Sequence, residues 1–139
     1  MNLITLKVKS VEKVSSGKKD YSVITLEDPT SKRVLKISAP SSAPKHVTDA
    51  LEGIVQERAD IYSLISSMMK VMDVTIAHAT IERSPTNRKM YNANICLTRP
   101  DDDDKTFYAI LQGRPSDAIP MAILHSAEIR AEESLLNEP

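Results

Sequence analysis

Apolar and polar residues alternate along much of this chain, in short runs separated by turns. Ile4, Leu6 and Val8 alternate with Thr5, Lys7 and Lys9. That period of two is the pattern of a half-exposed strand, whose side chains point to opposite faces in turn. Ser15-Ser16-Gly17-Lys18-Lys19-Asp20 reads as a turn, and Tyr21 to Leu26 as a second strand rich in β-branched and aromatic residues. Asp28-Pro29-Thr30-Ser31 turns the chain again, into a third strand from Val34 to Ile37. Two short turns in succession predict an antiparallel meander.

The period then changes. After a Ser- and Pro-rich break over residues 39–44, Val47, Ala50, Leu51 and Ile54 recur at helical spacing, with Gly53 placed to end the helix in a left-handed conformation. A second helix has the clearest period of all. Ile61, Leu64, Ile65, Met68, Met69 and Met72 fall on one face, with Asp60 as its cap. Such a stripe predicts a helix packed on the sheet and largely out of water.

Alternation returns in Val74 to Ile81, and again where Tyr91, Ala93, Ile95 and Leu97 alternate with Asn92, Asn94, Cys96 and Thr98. Asp101 to Asp104 read as the solvated tip of a hairpin, because no glycine or ordered ligand spacing of a calcium loop follows. A sixth strand runs from Phe107 to Leu111, a third helix from about Asp117 to Leu124, and the tail over residues 127–136 holds a short strand and a last helical turn. The expected fold is α+β: one domain over residues 1–139, with a mostly antiparallel sheet of about six strands, two central helices and a C-terminal helix.

Composition supports an ordinary globular domain. Of the 139 residues, 41% are hydrophobic and 27% charged, and the net charge of −1 argues neither for nor against a nucleic-acid partner. The distribution is uneven. Up to Lys45 the chain is basic and beyond it acidic, which suits an anionic partner on one side or self-association. The single cysteine, Cys96, excludes an internal disulfide and reads as a small core residue. No apolar run approaches a membrane span, and the N-terminus alternates like a strand instead of carrying a signal-peptide core, so a cytoplasmic protein with no membrane partner is expected.

The polar stretch with most chemistry is Arg114-Pro115-Ser116-Asp117-Ala118-Ile119, after the lone Gly113. Ser116 or Asp117 can cap the third helix, and Arg114 then sits at its mouth beside a carboxylate. Pro120 falls at the end of the first turn, or else opens the helix proper. No phosphate-binding glycine loop, paired-histidine zinc motif or glycine–serine elbow is present, and His46, His78 and His125 are isolated in sequence. A cluster assembled by the fold remains. Arg114 or Arg58 can hold a phosphate, with Ser116 beside them, and Asp117 or Glu52 can bind magnesium or manganese or act as a base, the requirements of phosphodiester hydrolysis.

Gly113-Arg114-Pro115-Ser116-Asp117-Ala118-Ile119 resembles the most recognisable motif of the bifunctional nuclease family. Ala50-Leu51-Glu52-Gly53 is similar to its second landmark, and Tyr91-x-Ala93 to its third, in the same order along nearly the whole chain. Members of that family are credited with cleaving both DNA and RNA. The resemblance carries over Glu52, Gly53, Arg58 and Arg114 to Ile119. It implies Asp117 and Glu52 as catalytic residues, Arg114, Ser116 and Arg58 as substrate-binding ones, and nucleic acid as partner. The chain departs from the family twice. Ala43 stands where an acid is usual, and Ile61-Tyr62-Ser63 replaces Thr-His-Asp, so three polar groups that could bind a metal or relay protons are gone. Two readings follow: a metal-dependent nuclease, or a non-catalytic module that keeps the family fold and forms homo-oligomers.

Overall fold

The computed structural model describes residues 2–17, 19–53, 61–100 and 105–138, with the backbone alone described at 16 and 105–108. Strands β1 (Leu3–Ser16), β2 (Lys19–Glu27) and β3 (Val34–Ala39) precede helices α1 (Ala43–Glu52) and α2 (Ile61–Val71). Strands β4 (Thr75–Arg83), β5 (Tyr91–Pro100) and β6 (Lys105–Gly113) follow, then α3 (Pro115–Leu124), β7 (Glu128–Glu132) and a short 3-10 turn. The α+β class and the mostly antiparallel sheet agree with the alternation in the sequence. The described strands number seven, in the order β3-β2-β1-β7-β4-β5-β6.

The strand beyond the expected six is the short one in the tail, and it lies at the centre of the sheet. Ile129 and Ala131 alternate on β7, which pairs antiparallel with β1 (Leu6 opposite Ile129, Ile4 opposite Ala131). Its other side pairs parallel with β4 (Ala79 opposite Ile129, Ile81 opposite Ala131). Two antiparallel meanders, β1 to β3 and β4 to β6, are thus joined by the last strand of the fold.

One face of the sheet carries the core. Leu6, Ile24, Leu26, Leu35 and Ile81 are fully buried there beneath Val47 of α1 and Ile119 of α3. Ala43 and Ala50 on α1, and Ala118 and Ala122 on α3, are the small residues that bring the helices close to the sheet and to each other. Burying a large aliphatic side chain contributes about 1.5–3 kcal/mol, so this cluster dominates the stability of the fold. Gly53 ends α1 at φ +66, with its N–H on the Ala50 carbonyl, as its position in the sequence predicts. Cys96 is not in the core. It is half-buried, opposite His78 and Ile110 in the register, on the alternate positions to the buried Leu97.

Helix α2 forms where expected, but its apolar stripe does not meet the sheet. Tyr62 and Met69 are the buried residues of the helix, whereas Leu64 and Met68 are each 54% exposed and Ile61, Ile65 and Met72 are exposed as well. The helix is turned by about one position, so that Tyr62, Ser66 and Met69 (i, i+4, i+7) look inward. The Tyr62 ring lies 5.1 Å from the ring of His46, and Ser66 Oγ lies 2.8 Å from His125 Nε2. These polar and aromatic contacts, with the small cluster around Met69, Ile76, Leu97 and Met121, set the rotation of the helix in place of the aliphatic stripe. Asp60 and Asp101 to Asp104 lie outside the described residues.

The two sheet edges differ. Strand β3 is short, carries Lys36 at its middle, and exchanges two backbone hydrogen bonds of 2.7 Å between Val34 and Asn137 of the tail. Strand β6 has no charged residue and no proline between Lys105 and Arg114.

Candidate functional site

Helix α3 begins one or two residues earlier than its polar residues suggest. Arg114 is the N-cap residue in extended conformation (φ −79, ψ 144), and Pro115 opens the helix, where its fixed φ suits the first turn and its missing N–H costs nothing. Neither Ser116 nor Asp117 acts as the cap. Both are already helical, and the N–H groups of Asp117 and Ala118 bond the Arg114 carbonyl at 3.0 Å. Pro120 lies inside the helix, where it leaves the Ser116 carbonyl without its usual donor.

This frame places Arg114 and Asp117 three residues apart on one face. Arg114 Nε donates to Asp117 Oδ2 at 2.8 Å and an Arg114 terminal nitrogen donates to Oδ1 at 3.1 Å. Both carboxylate oxygens are therefore engaged in a fork-to-fork pair, with the side chains 66% and 49% exposed. The hydrogen bond to Asp117 raises the Arg114 pKa above its ordinary value. At this exposure the pair contributes little to folding, and its content is orientation: the guanidinium is held at the start of α3.

A concavity of about 280 Å³ opens beside that guanidinium. Arg114, Pro115 and Ser116 form one wall, Ser38 to Pro40 another, and Lys89, Met90 and Tyr91 the third. Ser116 is nearly out of water, so it belongs to the packed wall and not to a free nucleophile or donor. The β4–β5 turn sets Lys89 in place, with its backbone N–H on Asn87 Oδ1 at 3.1 Å and Ser84 N–H bonded to the Met90 carbonyl at 2.8 Å. Tyr91 opens β5 with the Arg83 guanidinium 5.2 Å from its ring centre, and Arg83 also donates to the Arg88 carbonyl. Lys89 and Arg114 therefore line this corner, with Arg83 behind Tyr91. Lys89 and Tyr91 had no assigned role from the residues alone. The available signals were the Arg88-Lys89 pair just ahead of a strand and the Tyr91-x-Ala93 landmark.

Glu52 does not join this corner. Pro40, just ahead of α1, lines the concavity with the first residues of α3, whereas Leu51 lines a different hollow with Ile123, Ser126 and Ala127 at the far end of α3. Helices α1 and α3 therefore run in the same direction. Glu52, at the last turn of α1, is about 14 Å along the helix from Ala43 at a rise of 1.5 Å per residue. The shared cluster of Glu52 with Arg114 and Asp117 is thus not formed, because parallel packing puts them at opposite ends. Arg58 lies outside the described residues.

Magnesium is commonly held by one or two carboxylates together with waters and substrate phosphates. Among the described residues no three His, Cys, Asp or Glu side chains come together to hold a metal ion. Asp117 has both oxygens on Arg114, and Glu52 stands elsewhere. The described residues therefore form no preassembled metal site at this corner.

Asp117 has a second neighbourhood. It stands on the rim of an apolar groove of about 400 Å³, lined by Tyr62, Ile65, Met69, Leu97, Leu111 and Met121 among others. No helix among the described residues is long and apolar enough to cross a membrane. A family model described as a bifunctional nuclease domain matches residues 24–139, a span that contains every wall of the 280 Å³ concavity. No curated protein matches the chain.

Proposed function

The chain belongs to the bifunctional nuclease domain family, and on that premise we propose that it acts on nucleic acid, holding the phosphodiester backbone of DNA or RNA in the concavity between Arg114 and Lys89. The observation that carries this reading is the meeting of two sequence landmarks, Tyr91 and the Arg114–Ser116 stretch, around one hollow with a second cation in its wall, Asp117 being tied to it through Arg114. A guanidinium recognises a phosphate in the same two-pronged way in which Arg114 holds Asp117. An incoming phosphate competes for Arg114 and displaces the carboxylate. Asp117, released from Arg114, is then the base that takes a proton from water as the water oxygen bonds to phosphorus and the P–O bond to the leaving sugar oxygen breaks. Solvent protonates that oxygen, and Arg114 and Lys89 offset the charge that develops on the phosphorus-bound oxygens. Glu52 has no part in this arrangement. A cytoplasmic setting suits it.

The same family fold supports a second proposal, self-association into a homo-oligomer. The observation that favours it is the apolar stripe of α2, most of which is exposed among the described residues.

Short labelled DNA and RNA strands test the first reading. Arg114→Ala and Lys89→Ala are each expected to weaken binding and to lower the slope of log affinity against log salt by about one. Asp117→Asn is expected to keep fold and binding while losing cleavage of both DNA and RNA. A wild-type protein that binds but cleaves neither above a mock preparation, with magnesium, manganese or calcium supplied, leaves a binding module. Absence of binding removes the nucleic-acid reading.

A further inference from the structure

We propose that the β6 edge and the outer face of α2 form a single interface between two copies of this chain, related by a twofold axis that runs through the sheet next to β6. The inference rests on the self-association proposed above and says where it occurs.

Strand β6 ends the sheet with its outer backbone groups unpaired by any other described strand. Natural edges of this kind are blunted by charge, proline or shortness. The opposite edge shows such devices in Lys36 and the bridge to Asn137, whereas β6 carries no charge or proline across eight consecutive residues, 106–113. It is also apolar on both faces. Leu111 faces the helix side, opposite Ile95 in the register, and is 54% exposed, while Ile110 faces the other side, opposite Cys96, and is 59% exposed. A long, apolar, uncharged edge strand is a template for pairing with another strand.

The symmetry then accounts for α2. A twofold axis perpendicular to the sheet pairs β6 with its own copy antiparallel, making one continuous sheet, and leaves the helices of both copies on the same side of it. Helix α2 flanks the groove whose other wall is Leu111 to Gly113 of β6. Ile61 and Ile65 line that groove and Leu64 and Met68 are exposed beside them, and the proposed dimer sets this apolar side of α2 along the seam, facing its symmetry equivalent. One operation covers both exposed features, as a self-complementary patch must. Those four side chains with Ile110 and Leu111 expose on the order of 600 Å², before backbone and polar rim are added, against roughly 800 Å² per partner in a standard interface.

Light scattering during gel filtration at micromolar concentration, with far-UV circular dichroism to confirm the fold, tests this. The wild type is expected at twice the chain mass of 15.4 kDa. Met68→Glu and Ile110→Lys, both at exposed positions, are each expected to halve the mass with the spectrum unchanged. Lys36→Glu, on the other edge, is expected to leave it doubled. A monomeric wild type overturns both the association and its placement. A dimer that survives either Met68→Glu or Ile110→Lys overturns the placement and leaves the association standing. Amide hydrogen exchange on the unsubstituted protein gives an independent reading. Slow exchange of the outward amides of β6 supports the pairing, and fast exchange overturns it.

Discussion

The two ends of the sheet obey different rules. At the β3 end, Leu26, Leu35 and Ile37 are sealed beneath Val47 of α1 and Ile119 of α3, and the tail straps the margin through Asn137. At the β6 end, α2 rests on Tyr62 and Met69 and turns most of its aliphatic stripe outward. Hydrophobicity does not separate them, because α2 is far more apolar than α1 by sequence. The difference lies in which neighbours the chain itself supplies. A stripe at helical spacing states that a surface has to be covered, and not what covers it.

The largest effect that sharpens this contrast comes from the sealed end. Ile119→Ala is expected to destabilise the domain by about 2–5 kcal/mol, read from the denaturation midpoint. A cost below ~1 kcal/mol there erases the contrast. At the other end, Met69→Ala is expected to cost about 2 kcal/mol, but locally: α2 loosens and its amides exchange faster while those of β1 and β2 do not. Uniform loss of protection across the sheet shows instead that α2 is part of the global unit. Asp117→Ala, at the rim between the two regions, removes an exposed ion pair and is expected to cost under about 1 kcal/mol. Leu64→Ala is expected to shift the stability of the isolated chain by no more than about 0.5 kcal/mol, since an exposed side chain leaves no cavity.

The smallest effect is in pH. Burial lowers the pKa of His125 below the ordinary value of 6.5. The unfolded chain therefore takes up a proton first as pH falls below about 6.5, and stability declines from there to the lower, folded-state value. His125→Gln, which can still bond Ser66, is expected to flatten that part of the melting-temperature profile. Asp28, Glu128 and Glu133 have lowered pKa values, held down chiefly by side-chain hydrogen bonds from Ser31, Arg130 and Arg33, so the stability they contribute is lost only at more acid pH. An unchanged slope between pH 7 and 5.5 in the Gln variant refutes the role of His125.

Much of the local structure is legible in the sequence, because a period of two or 3.6 residues is a local property. Tyr91 to Leu97 alternates and forms β5, and Gly53 ends a helix in the left-handed region. What escapes is set by distant partners. Nothing near Ile129 says that a five-residue strand belongs at the centre of the sheet. Nothing in α1 or α3 says that they run in the same direction, which is what separates Glu52 from Arg114. The rotation of α2 is decided by His46 and His125, each far away in sequence. The Arg114–Asp117 pair is the opposite case. Its spacing of three implies contact once the helix is known to start at Pro115.

The position of β7 has a consequence for how the domain is made. A ribosome releases the first meander, then the second, and only after residue 132 can Ile129 and Ala131 reach both β1 and β4. Until then each half presents an inner strand, β1 or β4, with one side open. Pairing Ile4 with Ala131 closes a loop spanning almost the whole chain, so assembly is expected to be slow relative to a helical protein of this length. The nascent domain thus exists as two unjoined halves while the residues between β6 and the end of β7 are made, and that interval is when it most needs a chaperone.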